Sequence, residues 1–214
     1  MFVDTVDKMK RNIGNKLALY PTPAVVVGAL VNEKVTWTLV AHIGIVAHDR
    51  LLISLHKSHY INVGVQKDRR LSVNIVTDNF LDKADYCGIV SGKQTDKSQI
   101  FTYTMGENGA PMIDDSPLSM ECIVEDVYEC NGFDNFICSI GATYAADEVM
   151  NAEGKLDYTR FPPISIYAPE MSWDIVQMRG RNIGIHWYEK VIITYFDYGL
   201  EDCCCVVSAC CGCT

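Results

Sequence analysis

The feature that most limits the fold is a train of short β-branched runs, each closed by a turn signal. Residues 23–31 read PAVVVGALV. The run is continuous, valine-rich and short, which marks a strand covered on both faces. Asn32, Glu33 and Lys34 turn it. VTWTLVAHIGIVA (35–47) is a second β-rich run, HDR breaks it, and LLISL (51–55) gives a third strand. LSVNIV (71–76) and PPISIYA (162–168) have the same character. Asn131-Gly132 separates two longer β-rich segments, SMECIVEDVYEC and NFICSIGATYAADEV. Asn-Gly supplies the two positive-φ residues that a tight hairpin needs. The last segment, WYEKVIITYFDYGL, fits strand and helix alike.

Two short helices interrupt this pattern. In SHYINVGVQKDRR, Tyr60, Ile61, Val63 and Val65 with polar residues between them fit a short helix, with Ser58 at the N-cap position. Asp78 stands where it can cap a second helix. Phe80, Leu81, Ala84 and Cys87 follow at helical spacing, and Gly88 or Gly92 can end it. Residues 91–117 are polar and glycine-containing and read mostly as loop. The strand–helix alternation of a doubly wound nucleotide fold is missing after residue 92. Short strands joined by hairpins point instead to a mainly β protein, an antiparallel barrel or sandwich. With 214 residues the chain suffices for one sizeable domain.

A net charge of -9 argues against a general nucleic-acid binder, which needs a basic face. No apolar stretch is long enough to cross a bilayer, and the start, MFVDTVDKMKRN, lacks an apolar signal core. The expected location is the cytoplasm. Cys87, Cys122, Cys130 and Cys138 are scattered and read as reduced thiols. Six further cysteines crowd CCCVVSACCGCT (203–214). This tail reads as an appendage outside the fold, suited to a soft metal or to acyl chains; only acylation would bring the protein to a membrane.

SLHKSHY (54–60) joins a strand to a helix. The first amides of a helix are unpaired and carry partial positive charge, so anions settle there. Lys57 adds a full charge, and Ser54, Ser58 and His56 add donors. The plain alternative is a solvated strand end, and the residues leave both open. A metal site on His56 and His59 lacks a third ligand. GIVSGKQTDK (88–97) departs from a P-loop: three residues separate Gly88 and Gly92, and Gln94 stands where Ser or Thr would bind magnesium. Ser91, Gly92, Lys93 and Lys97 suit an anionic or carbonyl-bearing ligand, or simply an exposed helix terminus. His42, His48 and His186 read as structural; Trp37, Trp173 and Trp187 as core or interface residues; Asp114 and Asp115 as solvated. No hydrolase, zinc or paired-cysteine motif is present.

In order along the chain, YPTPAVVVGAL, WTLVAHIGIV, ISLHKSHYI, LSVNIV, DKADYCGIVSGKQTDKS, APMI and LSMECIV resemble the flavin reductase-like FMN-binding proteins, in particular the flavoredoxin group. The resemblance runs from about residue 13 to about residue 180, with DKADYCGIVSGKQTDK its most specific part. It implies a split β-barrel over residues 1–187, with 188–214 as a C-terminal extension. It also implies non-covalent FMN and a homodimer with the flavin near the interface. By position, Val35, Thr36, Trp37, Thr38 and Leu39 lie along the isoalloxazine. Ser54, Leu55, His56, Lys57, Ser58, His59 and Tyr60 wrap the ribityl phosphate, and Ser91, Gly92, Lys93 and Lys97 close the site. Several positions depart from the family pattern. Thr36 and Leu39 stand where it has asparagine and threonine, HDRLL replaces paired prolines, and Ser98 replaces a phenylalanine. The implied activity is FMN-dependent oxidoreduction, from NAD(P)H or a redox partner protein to a small-molecule or protein acceptor. Two rivals are a non-enzymatic FMN electron carrier and a metal or redox module in the cysteine tail.

Overall fold

The computed structural model describes residues 10–161, 163–167, 174–178 and 188–192. In chain order the strands are β1 (Thr22–Pro23), β2 (Val25–Val31), β3 (Lys34–Val40), β4 (Ile43–Ala47) and β5 (Arg50–His56), followed by helix α1 (Asn62–Asp68) and β6 (Arg70–Ile75). Helix α2 (Leu81–Ile89) precedes β7 (Tyr103–Met105), β8 (Pro111–Ile113), β9 (Leu118–Cys130) and β10 (Phe133–Ala145). The chain continues through β11 (Ile164–Tyr167), β12 (Asp174–Met178) and β13 (Tyr188–Ile192). Seven strands form one sheet in the order β3-β2-β6-β9-β10-β5-β4, four form the sheet β1-β11-β12-β13, and β7 pairs with β8. Every pairing is antiparallel. The architecture is the mainly β split barrel expected from the sequence.

β2 explains why its sequence is apolar without alternation. Its neighbours across the ladder are β3 and β6, and its two faces enter two cores. Val26 packs with Val35, Trp37 and Leu39 of β3 and with Ala84 and Cys87 of α2. Val25, Val27 and Ala29 pack with Ile53, Leu55, Leu71, Val73 and Phe136 from the rest of the barrel. A strand buried on both sides has no position for a polar residue. The turn after it holds Asn32 and Glu33 at φ 51° and 65°, the paired left-handed residues of a tight hairpin. Asn131 and Gly132, at φ 47° and 82°, make the same kind of turn between β9 and β10, each 13 residues long.

Several expectations need correction. The run 35–47 is two strands: it breaks at Ala41 and His42, and β3 and β4 become opposite edges of the seven-stranded sheet. Ser58 does not cap α1, which begins at Asn62 with no side-chain cap. The intervening residues form turns of their own, with His59 N donating to His56 O at 3.0 Å and Asn62 N to His59 O at 3.2 Å. Asp78 does not cap α2 either; it opens a 3-10 turn over Asp78–Phe80. Gly88 lies inside α2, whose C-cap is Val90. The 91–117 segment is mostly loop, as expected, and carries the short β7–β8 hairpin within it. Within the final segment, Tyr188–Ile192 is a strand paired with β12. Trp173, His186, Trp187 and the cysteine tail lie outside the described residues. No described helix is long and apolar enough to cross a membrane.

Candidate functional site

Three chain segments meet beside β3. β3 offers Thr36 and Thr38, the turn after β5 offers Ser58–Ile61, and the end of α2 with the turn behind it offers residues 88–95. Between them lies a cavity of about 410 Å³, within the range of small-ligand sites. Hydroxyls of Thr36, Thr38, Ser58, Tyr60, Ser91 and Thr95 come from its lining residues, together with Lys93 and Lys97. No aspartate or glutamate lines it, although the chain as a whole carries a net charge of -9. The cavity therefore concentrates donors and positive charge, which suits an anionic ligand with a polar rim.

Gly92 is required by close approach. A Cβ there would sit 2.7 Å from Tyr60 Cδ1 and 3.0 Å from Thr36 Oγ1. Only glycine lets the 91–95 turn approach both the tyrosine ring and the strand. The turn closes on itself through Gln94 N and Thr95 N, which donate to Ser91 O at 3.0 and 2.9 Å.

Lys97 holds this arrangement from beneath. Its residue is only 6% exposed, and its Nζ donates to Trp37 O at 3.0 Å and Cys87 O at 2.7 Å. Cys87 O belongs to the last turn of α2, where carbonyls lack helical partners. One ammonium thus ties α2 to β3 at the cavity floor. From sequence Lys97 reads as an exposed loop cation; the structure buries it. Burial pushes the neighbouring Cys87 thiol up to about 12, with Lys97 opposing the shift.

The SLHKSHY segment divides. Ser58, His59 and Tyr60 line the cavity, whereas Ser54, Leu55, His56 and Lys57 do not. Leu55 is buried in the barrel core. β5 pairs with β10, with His56 opposite Phe133, and Lys57 N donates to Gly132 O at 2.9 Å. Lys57 Nζ meets Glu129 at 2.5 Å; that hydrogen bond, opposed by partial desolvation and aided by the same carboxylate's charge, holds its pKa above the ordinary lysine value. The lysine beside the junction thus serves the β9–β10 hairpin. His56 Nδ1 accepts from the Ser58 amide at 3.2 Å and contacts Ser58 Oγ at 2.8 Å. An amide can only donate, so Nδ1 is the acceptor and Nε2 carries the ring proton. His42, packed edge-on against Phe133, is lowered in pKa by burial, as a structural histidine should be. No group of three metal-ligating side chains occurs among the described residues.

Along β3 the side chains alternate. Val35, Trp37 and Leu39 enter the core shared with α2, and Trp37 is fully buried against Phe101 at 5.4 Å and Tyr103 at 5.9 Å. Thr36 and Thr38 are left for the cavity. Ile61, Gly88, Ile89, Val90, Gln94 and Thr95 also line it, although the sequence does not mark them as site residues. GIVSGKQT marked Gln94 and Thr95 as part of a loop, but no sequence signal shows that the last turn of α2 becomes a wall.

The sequence matches the flavin reductase like domain over residues 17–162. The chain belongs to the flavin reductase-like family. Among solved structures of this fold, flavoredoxin from Methanosarcina acetivorans is 28% identical, with a TM-score of 0.72, covering 90% of this chain and 96% of its own. Flavoredoxin of Desulfovibrio vulgaris (Miyazaki F) is 23% identical, with a TM-score of 0.70 and coverage of 90% and 99%. An FMN-binding protein from Thermus thermophilus is 18% identical, with a TM-score of 0.63 and coverage of 88% and 98%. No curated protein matches the chain. Membership of the flavin reductase-like family makes the cavity beside β3 the natural place to test for a flavin. Its donor set fits one: hydroxyls and two lysines for a phosphate and ring carbonyls, and a glycine whose missing side chain leaves the turn close to the strand.

Proposed function

We propose that the protein is an FMN-dependent oxidoreductase, passing electrons from NAD(P)H or a redox partner through bound FMN to a small-molecule or protein acceptor. The observation that carries this reading is a cavity with two lysines and no carboxylate in an acidic chain of the flavin reductase-like family. Ser58, His59 and Tyr60 are assigned to the phosphate. Neither the Tyr60 nor the Ile61 amide enters a backbone hydrogen bond among the described residues, which leaves two donors beside Ser58. Thr36 and Thr38 are assigned to the ring, with Ser91, Gly92 and Lys93 closing over it. Lys97 supplies the positive charge at the floor and fixes the distance between β3 and α2.

FMN, when bound, supplies hydride and single-electron chemistry at its own ring. The residues' part is to bind, orient and set the local field. The donor-rich lining with no carboxylate favours a more negative bound species over a less negative one, and Thr36 and Thr38 offer hydroxyls where a ring carbonyl needs them. No side chain has to act as acid, base or nucleophile. A homodimer is part of the proposal. β4 is a sheet edge that exposes Ile45 at 86% and Val46 at 52%, and an uncovered apolar edge strand is a liability that a second copy removes.

The test is an absorbance spectrum of the purified protein, with and without added FMN, followed by anaerobic NADH or NADPH. A bound-flavin spectrum bleached by either nucleotide is the expected result. Failure to bind FMN refutes the reading. Bound flavin that no nucleotide reduces at a saturable rate leaves the electron-carrier role in place of the enzyme.

A further inference from the structure

One charged cleft serves neither the fold nor the cavity beside β3. The β2–β6 ladder ends at the pair Gly28–Ser72. Beyond it, Ala29 and Leu30 of β2 part from Arg70 of β6, which pairs onward with β9. The gap is a cleft of about 290 Å³, completed by Asp68 at the end of α1 and by Gly109, Ala110 and Pro111. It shares no lining residue with the cavity beside β3.

Asp68, Arg69 and Arg70 are consecutive, and the left-handed Arg69, at φ 56°, separates the other two. Arg69 belongs to the barrel: its guanidinium donates to Val124 O at 3.0 Å and to Glu125 O at 2.7 Å. Asp68 and Arg70 do not. Among the described residues neither side chain has a hydrogen bond or an ion pair, with each other or with a third group. One anion and one cation thus line a single cleft without closing on each other. The turn that faces them is braced. Gly109 N donates to Gly106 O at 3.0 Å, and Gly106 N to Ala110 O at 2.9 Å. Beneath it, the fully buried Glu121 accepts from Asn108 N and Ala110 N, each at 3.1 Å. Gly109, at φ 82°, brings the turn close to Arg70: a Cβ there would lie 3.2 Å from Nη1.

We propose that this cleft binds a small zwitterion, an α-amino acid with an apolar side chain. Arg70 takes the carboxylate, for which a guanidinium offers two parallel donors. Asp68 takes the ammonium, and Ala29, Leu30, Ala110 and Pro111 receive the side chain. A lone carboxylate gains Arg70 but is repelled by Asp68, and a lone amine meets the reverse. The two charges therefore select a ligand that carries both. The proposal is independent of the flavin reading, since the two cavities have no residue in common.

L-leucine is the probe, titrated into the full chain and followed by the amide NMR signals of Gly109 and Ala110. Isocaproate, which lacks the ammonium, and isoamylamine, which lacks the carboxylate, are the matched controls. Leucine is expected to bind about fivefold more tightly than either, the factor for one unit charge near a solvated partner. Arg70→Gln should weaken leucine about fivefold and tighten isoamylamine by a similar factor; Asp68→Asn should weaken leucine likewise and tighten isocaproate. Both residues are exposed. A local loss of structure would weaken all three ligands together, so opposite signs belong to charge recognition. No response of Gly109 and Ala110 to leucine, equal binding of the three compounds, or variants that move all three alike overturns the proposal.

Discussion

Replacing Lys97 by methionine tests the centre of the site. The substitution keeps the length and apolar stem but removes the ammonium that bridges Trp37 O at 3.0 Å and Cys87 O at 2.7 Å. Each buried carbonyl left unpaired costs about 1–3 kcal/mol. Relief of the buried charge and the added apolar burial of methionine offset part of this, at about 1–3 kcal/mol together. The net loss is about 2–3 kcal/mol, which at about 2–4 °C per kcal/mol for a chain of this size lowers Tm by about 5–10 °C. FMN affinity should fall about tenfold, since the cavity loses one of its two lysines and β3 is no longer tied to α2. Thermal unfolding followed by tryptophan fluorescence, with FMN titration of the folded variant, measures both. Lys97→Arg should restore charge without restoring Tm, because a planar guanidinium does not fit a position only 6% exposed. A Lys97→Met protein with wild-type Tm and wild-type FMN affinity refutes the assignment of Lys97 as the brace of this site.

Three more tests address other links. Gly92→Ala pushes a methyl into Tyr60 and Thr36; overpacking of about 1–3 kcal/mol should appear as weakened FMN binding in a fluorescence titration, with the barrel still folded by circular dichroism. Glu121 is fully buried and accepts from Asn108 N and Ala110 N, each at 3.1 Å, and from Tyr144 Oη at 3.1 Å; Glu121→Gln turns an acceptor into a donor among donors and should cost about 2 kcal/mol in urea unfolding. Burial raises the Cys87, Cys122 and Cys138 thiols from 9.0 to about 12. The unfolded chain loses these protons above about pH 9 while the folded one keeps them, so their stabilisation is full below that pH and declines as pH rises toward 12. Alkylation at pH 8 with peptide mapping should label exposed Cys130 and spare these three until the protein is denatured.

Much of this protein is legible in its residues alone. Valine-rich runs with turn residues between them mark strands whatever their partners, because strand preference and positive φ are properties of a few adjacent residues. PAVVVGALV became β2, and Asn131-Gly132 became the hairpin. The segments SHY and SGK announced polar, cationic material beside a strand and a helix end, and both line one cavity. What the chain's order concealed is pairing across distance. Residues 35–47 look like one strand, yet they supply the two far edges of a seven-stranded sheet. Lys57 looks like the anion's cation, yet Glu129, brought in by the β9–β10 hairpin, takes it. Lys97 looks like a loop lysine, and no local signal singles out Glu121. Both are buried, because the carbonyls and amides that satisfy them come from segments 10 to 60 residues away. Local chemistry determined which segments would carry the site. Only the packed barrel decided which of their charges border the cavity, since a charge goes to whichever partner the fold brings within reach.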